Sequence, residues 1–214
     1  MIVKEETALK MAEFLLRIKA IKLNMKEPYT WASGWKSPIY CDNRITLAHP
    51  IIRTYIRQQF VNIITDEIGD IDTVVGVATA GIPHGIIVAQ DLGLPFAYVR
   101  TAAKDHGLSN RIEGIVESGQ SVVVIEDLVS TGGSSLSAVK AIQEKGANVK
   151  ALLSIFTYGF DVADQRFAEA KCKAFALSNY QHLLSQAISD GYILEKDLEV
   201  LNYWRQDPQN WKGK

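Results

Sequence analysis

The sequence predicts an α/β fold: a mainly parallel sheet with helices on both faces. The first observation behind it is residues 121–135, S-V-V-V-I-E-D-L-V-S-T-G-G-S-S. An apolar, β-branched run that ends in two carboxylates has the composition of a strand buried on both sides. The second is the helical spacing of Leu136, Val139, Ala141 and Ile142 directly after it. The third is that strand-then-helix alternation recurs along the chain, the pattern of a parallel sheet covered by helices.

The elements follow in order. Leu9, Ala12, Leu16 and Ala20 recur at helical spacing and predict an amphipathic first helix. Residues 24–43, rich in aromatics, Pro, Gly and Ser, predict turns and short strands. His49-Pro50 opens a second helix, with proline at a favourable first-turn position and His49 as the cap. Its apolar face is Ile52, Ile56, Phe60, Ile63 and Ile64, and Gly69 ends it. Residues 73–77 predict a strand, residues 86–91 a helix, and residues 96–100 another strand. Residues 104–114 lack periodicity and predict a long loop, a kind of segment that is usually functional or disordered. Residues 151–156 and 173–176 supply further strands, and residues 195–205 a last helix. Ligands of such sheets bind at the carboxyl ends of the strands. The segments after Val77, Val99 and Ile125 should therefore share one cleft.

The 214 residues suit a single domain. With 47% hydrophobic and 22% charged residues the chain can bury a sizeable core. A net charge of −1 offers no bulk attraction to nucleic acid. Cys41 and Cys172 stand far apart without metal-ligand spacing, as free thiols in a reducing compartment would. No apolar run approaches the roughly 18 residues that span a bilayer. The start, M-I-V-K-E-E, lacks the order of a signal peptide. A soluble, cytoplasmic protein is expected, with no nucleic-acid or membrane partner.

Ser130, Thr131, Gly132, Gly133 and Ser134 leave backbone amides exposed at a helix N-terminus, which suits phosphate. Glu126 and Asp127, one step earlier, suit the neighbouring hydroxyls of a sugar, so a ribose phosphate fits. An acidic pair alone would be an ordinary strand end beside a helix dipole; the full string is more specific. It lacks the lysine of a Walker A loop and is not a G-x-G-x-x-G turn. Residues 77–83, V-A-T-A-G-I-P, would alone be a tight connection. Opposite a ribose-phosphate loop, their small residues let backbone approach a ligand closely. Residues 100–107, R-T-A-A-K-D-H-G, gather Arg100, Lys104 and His106, which in most loops are only solvated. His84 reads as a packed residue, and Phe156, Tyr158 and Phe160 as core or interface.

The acidic pair and its Ser/Thr/Gly loop resemble the phosphoribosyl-pyrophosphate signature of the type I phosphoribosyltransferases. Residues 100–107 resemble the R-x-x-x-K-x-H-G stretch of the orotate phosphoribosyltransferase family. Residues 29–44, Y-T-W-A-S-G-W-K-S-P-I-Y-C-D-N-R, look like that family's N-terminal hood with its S-G-x-K-S-P core. The resemblance covers roughly residues 8–205, with the three motifs in order. Residues 1–214 then form one phosphoribosyltransferase domain, with residues 24–44 contributing to a base-binding hood.

The resemblance implies transfer of ribose 5-phosphate from phosphoribosyl pyrophosphate to orotate, with Mg²⁺ as cofactor, in pyrimidine biosynthesis. The competing classes are a phosphoribosyltransferase for another base and a non-catalytic sensor of phosphoribosyl pyrophosphate. It further implies Lys104, His106 and Asp127 as catalytic. Phosphoribosyl pyrophosphate would meet Arg100, Lys104, His106, Glu126, Asp127, Leu128, Val129, Ser130, Thr131, Gly132, Gly133 and Ser134, with Thr79, Ala80 and Gly81 on the pyrophosphate. Orotate would meet Ser130, Lys36, Tyr40, Cys41 and Arg44. The Mg²⁺ would be held mainly by substrate and water. A homodimer with shared active sites is implied, the mobile loop reaching the neighbour. The chain departs from the family at Ala32 and Tyr158, where some members carry a lysine and an arginine, and at Thr101, where a lysine is frequent. Arg44 or Lys36 would then have to meet the carboxylate of orotate.

Overall fold

The computed structural model describes residues 1–2, 4–31, 34–100 and 111–213. Helix α1 (Glu5–Arg17) buries Ala8, Met11, Ala12, Leu15 and Leu16 on one face. Leu9 is only half-buried, so the buried stripe is centred one residue away from the predicted one. Four short strands follow: β1 (Ile21–Leu23), β2 (Tyr29–Thr30), β3 (Lys36–Ser37) and β4 (Ile39–Cys41). They pair as two antiparallel ribbons, β1 with β4 and β2 with β3. A short 3-10 helix, Asn43–Ala48, leads to α2 (Pro50–Ile63). Proline opens α2 as expected, and Ile52, Ile56, Phe60 and Ile63 are its buried face. His49 occupies the cap position, but its side chain makes no capping hydrogen bond.

Six strands form the central sheet: β5 (Thr73–Val77), β6 (Phe96–Val99), β7 (Ile112–Glu113), β8 (Ser121–Val129), β9 (Asn148–Thr157) and β10 (Ala174–Asn179). Their order is β10-β9-β8-β5-β6-β7, and every pair is parallel except the edge pair β6–β7. The expected loop over 104–114 is thus corrected at its end, where Ile112 and Glu113 pair with Val99 and Tyr98.

The remaining helices are α3 (Gly81–Leu92), α4 (Gly133–Glu144), α5 (Asp161–Glu169), α6 (Tyr180–Ser189) and α7 (Leu198–Gln206). Alternation along β8 separates two cores. Val123 and Ile125 join one core with residues of α1, α2, α3, α6 and α7. Val122, Val124 and Val129 join the other with Ala138, Val139 and Ile142 of α4 and Phe167 of α5. Helices therefore cover both faces, as the alternation predicts. Thr73, Val74, Val75, Gly76 and Val77 of β5 are all buried, as a central parallel strand requires.

Candidate active site

The acidic pair does not end its strand. β8 continues through it, with Glu126 opposite Ser154, Leu128 opposite Phe156 and Val129 opposite Thr157. Strand pairing therefore fixes the backbone of both carboxylates. The phosphate loop begins after Val129, and Gly132 takes φ +78°, a left-handed conformation that glycine adopts without steric cost. Helix α4 starts at Gly133, so its free amides face the loop. On the neighbouring strand β5, the turn Ala78-Thr79-Ala80 leads into α3. A Cβ on Gly81 would lie 2.3 Å from the Ile125 carbonyl oxygen. Only glycine lets α3 begin that close to β8, and this closeness holds the turn beside Glu126.

A cavity of about 560 Å³ lies at these strand ends. Its walls are Val77–Ala80 from the β5 turn, Glu126–Leu128 from β8, Ser130–Ser134 from the loop, and Cys41, Asp42 and Arg44 from the hood. The segments after Val77 and Ile125 thus share one cleft with the hood. The third expected segment begins at Arg100, which pairs with Glu113 at 3.6 Å and is not among the lining residues. Thr101, Lys104 and His106, like Ala32 and Ser33, lie outside the described residues.

Glu126 is 6% exposed, and its carboxylate accepts hydrogen bonds from the Ser135 hydroxyl at 3.1 Å and the Asp127 amide at 3.1 Å. Burial, then the charge of Asp127, pushes its carboxyl well above the usual range. Burial also raises Asp127, while hydrogen bonds and the Arg44 guanidinium pull it back. The Cys41 thiol is pushed up by burial and by the charges of Asp127 and Asp42, so it stays protonated and donates to Asn43 Oδ1 at 3.3 Å.

Other expected site residues stand elsewhere. Gly81 packs against β8 beneath the cavity, and Val129 is fully buried in the core, its carbonyl accepting from Tyr158 N. Lys36 is exposed and donates to Thr30 Oγ1 at 2.8 Å, and Tyr40 packs on Tyr29. Neither lines the cavity. Tyr158, at the position where some relatives carry an arginine, is 2% exposed and surrounded by Trp31, Phe156, Phe160 and Trp204. This aromatic cluster docks the hood: Trp31 Nε1 donates to the Ile39 carbonyl and Trp204 Nε1 to that of Lys36.

Three residues escaped the sequence reading. Asp42 lines the cavity and holds Arg44 through two hydrogen bonds, Nε to Oδ1 at 2.7 Å and Nη2 to Oδ2 at 3.0 Å. Asn43 joins hood to β8, and Ser135 holds Glu126. A D-x-R spacing, in which Asp42 also accepts from the Arg44 amide as a cap, is the one local signal for the first. His84 is buried as expected; its Nε2 lies 3.3 Å from Thr46 Oγ1.

A parallel sheet with an acidic pair near the carboxyl end of a central strand, a glycine-rich loop and a helix N-terminus around one cavity defines the phosphoribosyltransferase class. A family model for the phosphoribosyl transferase domain matches residues 46–178, which begins just after the hood. Orotate phosphoribosyltransferases of Phocaeicola vulgatus and Bacteroides fragilis are 53% and 51% identical to this chain, each match covering 94% of the chain and 95% of the relative. The chain belongs to the orotate phosphoribosyltransferase family. The crystal structure of orotate phosphoribosyltransferase from Aeropyrum pernix shares the fold, with a TM-score of 0.74 at 23% identity, over 86% of this chain and 99% of that one.

Proposed function

We infer that the protein transfers the 5-phosphoribosyl group of phosphoribosyl pyrophosphate to orotate in UMP biosynthesis, giving orotidine 5′-monophosphate and pyrophosphate. One observation carries the reading: the acidic pair of β8, the phosphate loop and hood residues Cys41, Asp42 and Arg44 line a single cavity, in a chain half identical to that family across its length. Relatives that match beyond residues 46–178 include the hood, which favours orotate over another base. A ligand sensor without catalysis has no specific support.

Residues 130–134 hold the 5′-phosphate through amides and hydroxyls. Glu126 and Asp127 accept hydrogen bonds from the ribose hydroxyls, and the negative charge of the pair favours the cationic character that develops at the anomeric carbon. Thr79 and Ala80 offer backbone to the pyrophosphate. A nitrogen of the orotate ring bonds to that carbon as its bond to the pyrophosphate oxygen breaks. The attacking base is already anionic, so no strong general base is required, and orientation and charge stabilisation carry the rate. Lys104 and His106 are assigned to the leaving pyrophosphate by sequence alone.

Among the described residues no group of three or more His, Cys, Asp and Glu side chains is placed to hold a metal. The donor set at the cavity, Glu126 and Asp127, instead suits Mg²⁺ carried by substrate oxygens and water. When bound, the ion neutralises charge on pyrophosphate. Among the described residues no helix is long and apolar enough to cross a membrane. A cytoplasmic homodimer, in which residues 100–107 serve the neighbouring site, and a single domain with residues 24–44 as its hood complete the reading.

The test is consumption of orotate, followed by its ultraviolet absorbance, with phosphoribosyl pyrophosphate and Mg²⁺. Orotate should react and adenine, guanine, xanthine and uracil react poorly. Comparable turnover with a purine would remove the orotate assignment.

A further inference from the structure

Resting on the orotate reading above, we propose that Arg44, aimed by Asp42, binds the carboxylate of the base and sets the enzyme's choice of base. The hood's attachment beside the acidic pair points there. The loop at 130–134 takes the phosphate end and Glu126 and Asp127 the ribose. Cys41, Asp42 and Arg44 line the same cavity, and Asn43 ties their stretch to the Asp127 carbonyl at 2.7 Å, so this hood wall adjoins the ribose carboxylates, where a base on the anomeric carbon would sit. Among the described residues Arg44 is the only cation lining that cavity. The other basic groups nearby are turned elsewhere: Lys36 donates to Thr30 Oγ1 at 2.8 Å, and neither Lys36 nor Lys22 lines the cavity. Tyr158 is sealed in the aromatic cluster behind the hood.

The guanidinium has two usable edges. Asp42 occupies one, taking Nε at 2.7 Å and Nη2 at 3.0 Å. Nη1 and the second hydrogen of Nη2 have no partner among the described residues. That remaining edge is a fork matched to a second carboxylate. Asp42 is itself fixed, because it caps the 3-10 helix by accepting from the Arg44 amide at 3.2 Å. The arginine is therefore oriented before substrate arrives. Its side chain is 64% exposed, so replacing it does not threaten the fold.

The experiment crosses two bases with the side chain. Orotate and its neutral carboxamide are compared as substrates of the wild type, Arg44→Gln, Arg44→Lys and Asp42→Asn. Binding of phosphoribosyl pyrophosphate is followed separately by thermal shift. Wild type should prefer orotate to the carboxamide by about 10–100-fold in kcat/KM, the weight of one charge-assisted contact. Arg44→Gln should lose that preference, mostly through KM for orotate, with its thermal shift by phosphoribosyl pyrophosphate retained. Arg44→Lys, which cannot serve both edges, should keep part of the preference. Asp42→Asn should raise KM for orotate less than Arg44→Gln does. An Arg44→Gln variant that still prefers orotate overturns the assignment, and an Asp42→Asn variant with a lower KM for orotate overturns the aiming role. Failure of the wild type to consume orotate at all would instead remove the functional reading beneath it.

Discussion

The Asn43 side-chain amide donates to the backbone carbonyl of Asp127 at 2.7 Å, across 84 residues of sequence. Asn43 is fully buried, and both polar atoms of its side chain are hydrogen-bonded. Its Oδ1 accepts from the Cys41 thiol, and its carbonyl accepts from the Thr46 hydroxyl at 2.6 Å. This one residue thus sets the distance between the base wall and the ribose carboxylates.

Asn43→Ala removes that spacer and leaves the Asp127 carbonyl without its donor. A buried polar group left unpaired costs about 1–3 kcal/mol, to be read by chemical or thermal unfolding. Turnover should fall further than the stability change requires, because a small misplacement of reacting groups costs up to about 10²-fold. A destabilised variant that keeps full kcat would confine Asn43 to a structural role.

Glu126 stores an electrostatic conflict. Burial and the neighbouring Asp127 raise its folded-state proton affinity above the unfolded value. A raised carboxyl contributes stability that is present below the unfolded value and lost as pH rises through the folded one. Glu126→Gln should therefore raise Tm at neutral pH in the absence of substrate, and flatten that loss with pH. The same change weakens charge-assisted hydrogen bonds to ribose, and kcat/KM should drop by about 10–100-fold. A lower Tm at neutral pH would contradict the conflict.

How much of this was legible in the sequence follows from the range of each interaction. Strand β5 and the opening of α2 follow local patterns and fall where the sequence places them. β8 is longer than its apolar run, because pairing with β9 carries Glu126, Asp127 and Leu128 along as strand. Helix α5 was not foreseen: only Ala163 and Phe167 of its nine residues are buried, too few to write a stripe. Helix α6 carries a readable cap, Asn179 accepting from the His182 amide. The cavity walls were legible as motifs. The contacts that tune them, Asn43 to Asp127 and Ser135 to Glu126, depend on topology that no local spacing encodes.

His84 gives the opposite pH dependence to Glu126. The Thr46 hydroxyl donates to the Asn43 carbonyl, so His84 Nε2 must be the donor toward Thr46, and Nδ1 is left buried without a partner among the described residues. Burial, then the Arg53 charge, lowers the imidazole to about 4. The unfolded chain therefore binds the proton first, and stability is lost as pH falls from the ordinary histidine range, about 6.5, toward 4. At about 1.4 kcal/mol per pH unit, the limit is roughly 3 kcal/mol. His84→Gln should flatten this part of the stability profile in urea titrations at several pH values. An unchanged slope would move the cause elsewhere.

Lys104, placed by sequence on the leaving pyrophosphate, yields a test of shared sites. Lys104→Ala should leave the free energy of unfolding within about 0.5 kcal/mol of wild type, the usual effect of a substitution that creates no cavity, unpaired charge or strain. Turnover should fall about 10²–10³-fold, the weight of one preorganised donor. Mixing Lys104→Ala with Asp127→Asn chains should restore part of the activity if the loop serves the neighbouring subunit. No recovery after demonstrated subunit exchange would place the loop in its own site.

Gly81 supplies the last test, because it joins the pyrophosphate turn to the acidic strand through contact rather than chemistry. The methyl of Gly81→Ala would meet the Ile125 carbonyl oxygen at 2.3 Å, well inside contact distance. Both partners are backbone held in secondary structure, so neither can yield as a side-chain tip would. Overpacking of this kind costs about 1–3 kcal/mol. The start of α3 must then move away from β8, carrying Thr79 and Ala80 away from Glu126 and Asp127. Affinity for phosphoribosyl pyrophosphate should fall together with Tm, and raising the substrate concentration should recover turnover only in part. A Gly81→Ala protein with wild-type Tm and affinity would mean that the two strand ends are not held together at this point.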